Sequence, residues 1–337
     1  MKKRFLSLFP AIAIDLGSST VRCWVTGAAE PVALASVVAL DAKGKLIALG
    51  TPAQELEERM VRDLQVLAPI ELGVIQHERA AQLVVRAAIA QQQQYLRWRF
   101  PPIMMMTIPV LANQVQQERA QRFLQALGAR EAYLIAQPLA ATIGAGVPVT
   151  DTAGSVMVQM GSGRVEVAAL TLGGITAAAS CEFGARSLIE QLRMGLREQY
   201  HLEASISGTE QLLRGLTLRT DIEQRIRITG KDVGGGTPKT LTINASTLVA
   251  NLEQIIERYV ALIIEVLSQV PPAVTGDIVD RGILLSGGLA QLNGLSTFLS
   301  DRLQLPCSVV ENPALAAIKG TREALEHIDE FKAMFVN

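Results

Sequence analysis

Two stretches of this chain are built alike, and both carry residue types that can hold a phosphate. Ala13-Ile14-Asp15-Leu16-Gly17-Ser18-Ser19-Thr20-Val21 and Met157-Val158-Gln159-Met160-Gly161-Ser162-Gly163-Arg164-Val165 each run from apolar residues through one polar residue into a Gly and Ser turn, then into a second apolar run. That pattern predicts a β-hairpin with a tight small-residue turn. With little side chain in the way, the backbone N–H groups of such a turn form an anion-binding concavity. One hairpin of this kind is an ordinary structural turn, but two facing each other can clamp a polyphosphate. The repetition also predicts two related lobes.

A third segment, Ile283-Leu284-Leu285-Ser286-Gly287-Gly288, reads as a strand feeding a glycine turn and then a helix from Leu289 or Ala290 to Leu303. It offers backbone amides and a helix N-terminus to a nucleotide. Positioning these three pieces requires strands alternating with amphipathic helices, hence an α/β fold. Ile103 to Ile108 and Ala132 to Ile135 read as buried strands. A helix follows Asn113, with Gln116 completing a capping box and Gly128 as terminator, and a small-residue helix runs from Gln137 to Ala145. The apolar stripe from Leu248 to Leu267 predicts a long helix stopped by Pro271-Pro272. Gly234-Gly235-Gly236 reads as a hairpin tip, since the Lys-Ser or Lys-Thr of a phosphate loop does not follow it.

The chain has 337 residues, 49% of them hydrophobic, with a formal net charge of −1. It is long enough for two lobes with a core, and it lacks a bulk electrostatic attraction to nucleic acid, so no nucleic-acid partner is expected. Cys23, Cys181 and Cys307 follow no metal or redox spacing, and the three histidines have no ligand neighbours. Lys2, Lys3 and Arg4 before an apolar run resemble a signal peptide, but Pro10 cuts the run short and Asp15 follows, so a cytoplasmic chain is expected. As a helix, residues 2 to 9 gather Phe5, Leu6, Leu8 and Phe9 on a face suited to a membrane interface; the alternative is a disordered basic tail. Tyr95-Leu96-Arg97-Trp98-Arg99-Phe100, with Trp98 and Phe100 among basic neighbours, suits an interface or else core packing.

Strand, hairpin, strand, hairpin and strand-Gly-Gly, in this order, resemble the actin superfamily, and within it the MreB family of bacterial actins. Ile14-Asp15-Leu16-Gly17, the run Tyr133 to Gly146, Leu172-Gly173-Gly174-Ile175, Gly230-Lys231-Asp232 with Thr237-Pro238-Lys239, Ser286-Gly287-Gly288 and Leu305-Pro306 carry that resemblance. It implies a two-lobed, ribonuclease H-like duplicated α/β fold with an interlobe nucleotide cleft. It also implies four subdomains: IA of residues 1–32, 67–145 and 315–337, IB of 33–66, IIA of 146–181 and 244–314, and IIB of 182–243. ATP and Mg²⁺ are the implied cofactors. The implied partners are further copies in double protofilaments, the inner face of the cytoplasmic membrane and membrane proteins of the cell-wall elongation machinery.

The same resemblance distributes roles. Gln137 stands where the family orients the attacking water, and Asp15 where it holds Mg²⁺ through water. Gly17, Ser18, Ser19, Thr20, Gly161, Ser162, Gly163, Gly287 and Gly288 stand at nucleotide-contacting positions. Several positions depart from the pattern: Gln159 replaces an Asp, Ser162 interrupts a glycine run, Arg164 replaces a Thr, and Gln211 and Arg214 replace Glu and Lys beside the nucleoside. A neutral amide brings no charge to a hard cation, so weaker metal binding and slow ATP hydrolysis are expected. Arg164 either supplies phosphate charge or points to solvent. A non-filamentous adaptor, as in the pilus-assembly relatives of the fold, is the alternative function; a sugar kinase needs a carboxylate base that no residue here suggests.

Overall fold

The computed structural model describes residues 9–59, 61–96, 100–149, 152–219, 223–331 and 334–335. Phe5, Leu6, Leu8 and Trp98 lie outside the described residues.

Both repeated hairpins form, and each nucleates a five-stranded sheet of the same topology. In the first lobe Ala11–Leu16 pairs antiparallel with Thr20–Val25 on one side and parallel with Ile103–Ile108 on the other; Val32–Ala35 and Glu131–Ala136 complete the sheet. In the second, Ser155–Met160 pairs antiparallel with Val165–Thr171 and parallel with Ile283–Ser286, between outer strands Gly174–Cys181 and Cys307–Val309. Ala11–Leu16 and Ser155–Met160 are buried along their whole length, which is why they read as unbroken apolar runs rather than alternating ones.

Side-chain alternation then sorts the first sheet's residues. Ile12, Ile14 and Leu16 join a core with Val84, Phe123 and Leu124 of the flanking helices Glu78–Ala90 and Gln114–Leu127. Ala11 and Ala13 face the other way, into a core that also takes Met157, Ala168 and Leu170 from the second lobe. Two helices, Gln137–Gly144 and Ala316–Glu326, pack together in this shared core. They approach backbone to backbone: a Cβ at Gly144 would overlap the carbonyl of Ala316, and one at Gly320 the carbonyl of Ala140.

The helix following Asn113 has the expected capping box with Gln116, and Gly128 ends it at φ 100°. The long helix spans Ala245–Gln269 and stops before Pro271-Pro272. The helix expected from Leu289 or Ala290 to Leu303 is instead split. A 3₁₀ turn, Gly288–Gln291, is followed by Gly294 at φ 83° and a separate helix, Leu295–Leu303. Gly294 in the left-handed region interrupts what apolar periodicity alone joins up. No α-helix N-terminus therefore points from Gly288 into the space between the lobes.

Each lobe carries a smaller three-stranded sheet, Val38–Asp41 between Leu46–Leu49 and Leu64–Leu67 in the first, Arg225–Asp232 between Leu202–Glu203 and Pro238–Asn244 in the second. They bring Glu58, at the end of the helix Thr51–Glu58, to the first turn of Ile206–Gly215, where Glu58 accepts from the Ser207 N–H at 2.8 Å and its hydroxyl at 2.9 Å. A carboxylate at a helix N-terminus is stabilising there, by about 1 kcal/mol. No helix among the described residues is long and apolar enough to cross a membrane.

Candidate functional site

The hairpin turns meet at the floor of a cleft of about 600 Å³ between the lobes. Asp15, Gly17, Ser18, Ser19 and Thr20 of the first hairpin line it, opposite Gln159, Gly161 and Ser162 of the second, with Gly287 and Gly288 beside them. Gly163 lies just outside, wedged where the turns touch: a Cβ there would stand 2.9 Å from Ser18 Oγ and 3.3 Å from the Leu72 backbone. Ser18 Oγ in turn accepts from the Gly73 N–H at 3.0 Å. The second turn is also anchored from behind, where the Ala185 and Arg186 N–H groups, at the start of the helix Ala185–Tyr200, donate to the Gly161 and Ser162 carbonyls.

Asp15 is 3% exposed and fully engaged. Its Oδ1 accepts from Thr107 Oγ1 at 3.0 Å and from Gln137 Nε2 at 3.1 Å, while Arg22 Nη1 stands 3.4 Å from Oδ2. The parallel register explains this convergence. Thr107 is near the C-terminal end of the strand beside Asp15, and Gln137 is the first residue beyond the next strand, so three adjacent chain segments deliver polar side chains to one point. Ligands gather outside the carboxyl ends of such strands.

Lobe two has the same backbone arrangement with different chemistry. Gln159 stands across from Glu166, as Asp15 stands across from Arg22. Glu166 is completely buried; its Oε1 accepts from the Val110 N–H at 2.8 Å, a contact from the second hairpin to the first lobe, and Arg164 Nη1 stands 3.7 Å away. Burial pushes the Glu166 carboxyl up to about 7 against the opposing pull of the Val110 N–H and Arg164. Arg164 thus does not line the cleft; it lies beside the buried carboxyl with 15% of its side chain exposed. Gln159 Oε1, Arg164 Nε and Glu166 Oε2 find no hydrogen-bond partner within the protein, and neither does Arg22 Nε on the first hairpin.

On the upper wall the structure departs from the expectation for Gln211. Glu210 and Arg214 of Ile206–Gly215 line the cleft, 3.6 Å apart, whereas Gln211 faces solvent. Positions four apart share a helix face and a neighbour one residue on is turned away by about 100°. Besides Glu210, the sequence reading missed Arg22, Thr107 and Glu166. The signal for two of them was available: the repeat that pairs Asp15 with Gln159, carried one strand further, pairs Arg22 with Glu166, opposite charges inside apolar strands.

Mg²⁺ does not fit these residues well. Asp15 Oδ1 has both acceptor directions occupied, Oδ2 faces a guanidinium, and Gln159 is neutral. Among the described residues no cluster of His, Cys, Asp or Glu is placed to hold a metal ion. Phe9 does not stand free at the surface: its ring meets that of Phe100 edge-on, centroids 5.2 Å apart, with the Arg130 guanidinium 4.1 Å from its centroid. Phe100 remains 43% exposed.

Comparison with known proteins agrees with this geometry. The family model for the MreB/Mbl protein matches residues 10–333. The cell shape-determining protein MreB of Escherichia coli K12 is 30% identical over 337 residues, covering 98% of this chain and 97% of its own. Among solved structures, MreB 5 of Spiroplasma citri bound to AMPPNP superposes with a TM-score of 0.90 at 24% identity, over 96% of this chain and 98% of that one. A MamK double helical filament follows with a TM-score of 0.78 at 14% identity, over 95% and 98%.

Proposed function

The chain belongs to the MreB/Mbl family, and from that premise we propose that it is a bacterial-actin subunit that binds a nucleotide between its lobes and assembles head to tail into filaments that organise cell shape. The observation that carries the nucleotide reading is the pair of small-residue turns facing each other across one cleft, Gly17 to Thr20 against Gly161 and Ser162. Their amides and hydroxyls suit phosphate oxygens, and the opening between Gly287-Gly288 and Ile206–Gly215 leaves room for a nucleoside. The nucleotide-bound state of the Spiroplasma relative and the solved filament of MamK support the two halves of the reading. A head-to-tail contact that does not close a ring propagates as an open polymer.

Within the cleft, Gln137 is held by Asp15 at the mouth of the first hairpin, where its amide can orient a water molecule toward a terminal phosphate. An amide cannot accept the proton that water loses, and Gln159 adds no charge opposite, so hydrolysis is slow. The four-subdomain division belongs to the same reading, as does a cytoplasmic location at the membrane, with residues 2 to 9 and the segment around Phe100 as contacts and cell-wall elongation proteins as partners. Exposure of Phe100 beside Phe9 supports that surface. Negative-stain microscopy and pelleting with and without ATP test the proposal. Nucleotide-dependent filaments are expected, and a monomer by light scattering at all nucleotide concentrations would overturn the assembly half.

A further inference from the structure

We propose that this cleft holds the polyphosphate of a nucleoside triphosphate without a divalent cation, with the Arg22 guanidinium as the counter-charge. The inference rests on the nucleotide reading above and deepens it. Two carboxylates line the cleft, and each already has its own arginine: Asp15 with Arg22 at 3.4 Å, Glu210 with Arg214 at 3.6 Å. The protein's own side chains therefore leave no net negative charge to hold a dication beside the phosphates. A hard cation prefers several charged oxygens, whereas Gln159 contributes a single neutral one. A cation seated beside Asp15 would also sit against Arg22 and be repelled by it.

Arg22, by contrast, has capacity to spare. It lines the cleft with 19% of its side chain exposed, and only its Nη1 faces Asp15. A guanidinium presents five N–H donors in a fork that matches phosphate, so one edge can stay on Asp15 while the rest takes phosphate oxygen. Asp15 then acts as a positioning residue that holds the fork. The second hairpin does not supply this charge, because Arg164 stands outside the cleft lining, beside the buried Glu166. Of the two hairpins, only the first therefore brings a cation to the cleft floor.

The test is a titration of the full chain with a fluorescent ATP analogue and with adenosine, each in excess Mg²⁺ and in EDTA. Wild-type affinity for the ATP analogue should differ by less than about threefold between the two buffers, since the counter-charge is covalently part of the chain. Arg22→Ala should weaken the ATP analogue by about 10- to 100-fold in EDTA, the range for a hydrogen bond to a charged group, and leave adenosine unchanged. Gln159→Asp should make binding respond to Mg²⁺. If the wild type loses ATP tenfold or more in EDTA, the metal-free proposal is overturned while the nucleotide reading stands; absence of binding in both buffers overturns that reading as well. If binding is EDTA-insensitive but Arg22→Ala, with adenosine affinity intact, holds ATP as tightly as the wild type, Arg22 is not the counter-charge. Should Arg22→Ala fail to fold, Arg22→Lys keeps the charge and loses the fork, and the wild-type comparison still decides the metal question.

Discussion

The two hairpins share a backbone and little of their chemistry. Their strands pair in the same register and their turns reach the same floor, yet the first places Asp15 across from Arg22 and the second places Gln159 across from Glu166. In the first, the carboxylate stands on the strand whose end opens to the cleft, and its arginine lines the cleft with it. In the second, the carboxyl has moved to the return strand, wholly buried and bonded to the other lobe. The difference separates two tasks that one fold element can perform. Backbone amides approach a phosphate whichever residues flank them, while the polar side chain at the strand end decides whether the hairpin adds charge to the cleft or ties the lobes together.

The strongest way to break this comparison is to make the hairpins alike. Gln159→Asp gives the second hairpin the carboxylate of the first, and by analogy with a single preorganised group it should raise phosphate release under polymerising conditions by about 30- to 1000-fold. Arg164 should be kept in that variant, because its removal strips Glu166 of its counterion. Wild-type turnover already as fast as the variant would mean that the neutral amide costs the second hairpin nothing.

A smaller effect distinguishes the buried carboxyl. Glu166 titrates near 7 in the fold and near 4.5 when exposed, so the native state binds the extra proton between those values and its stability falls as pH rises through that window. The contribution is about 3 kcal/mol, fully lost above the folded value. Glu166→Gln should flatten the stability profile between pH 5 and 7 in urea melts. An unchanged slope in Glu166→Gln would show that another group carries it.

The least perturbing comparison lies at the turns. Gly163 and Ser19 are equivalent in the repeat, and Gly163 is pressed against the other lobe, where Ser19 lines the cleft. Gly163→Ala should cost about 1 to 2 kcal/mol by overpacking, and Ser19→Ala within about 0.5 kcal/mol, read as denaturation midpoints. Equal midpoints would remove the contact between turns from the account.

Much of this was legible in the sequence because it is local. Unbroken apolar runs and their Gly and Ser turns locate both hairpins, a third such run locates the strand Ile103–Ile108, and Asn113, Gln116 and Gly128 mark a helix at both ends. What escaped was set by packing. Gly294 cuts a helix whose apolar stripe continues through it, and helix phase rather than sequence neighbourhood puts Glu210 in the cleft instead of Gln211. Arg164 is ambiguous in the sequence for a related reason: a turn residue's direction depends on what is buried nearby, here the Glu166 carboxyl.

The crossing of Gln137–Gly144 with Ala316–Glu326 has a mechanical consequence. Where two helices touch main chain to main chain, no side chain at that point can change rotamer to relieve a clash, so sliding meets a steep wall. Gly144 and Gly320 make such a contact inside the core shared by both sheets. A bulkier residue at either glycine forces the two helices apart at that contact, and the strain falls on the core shared by both sheets.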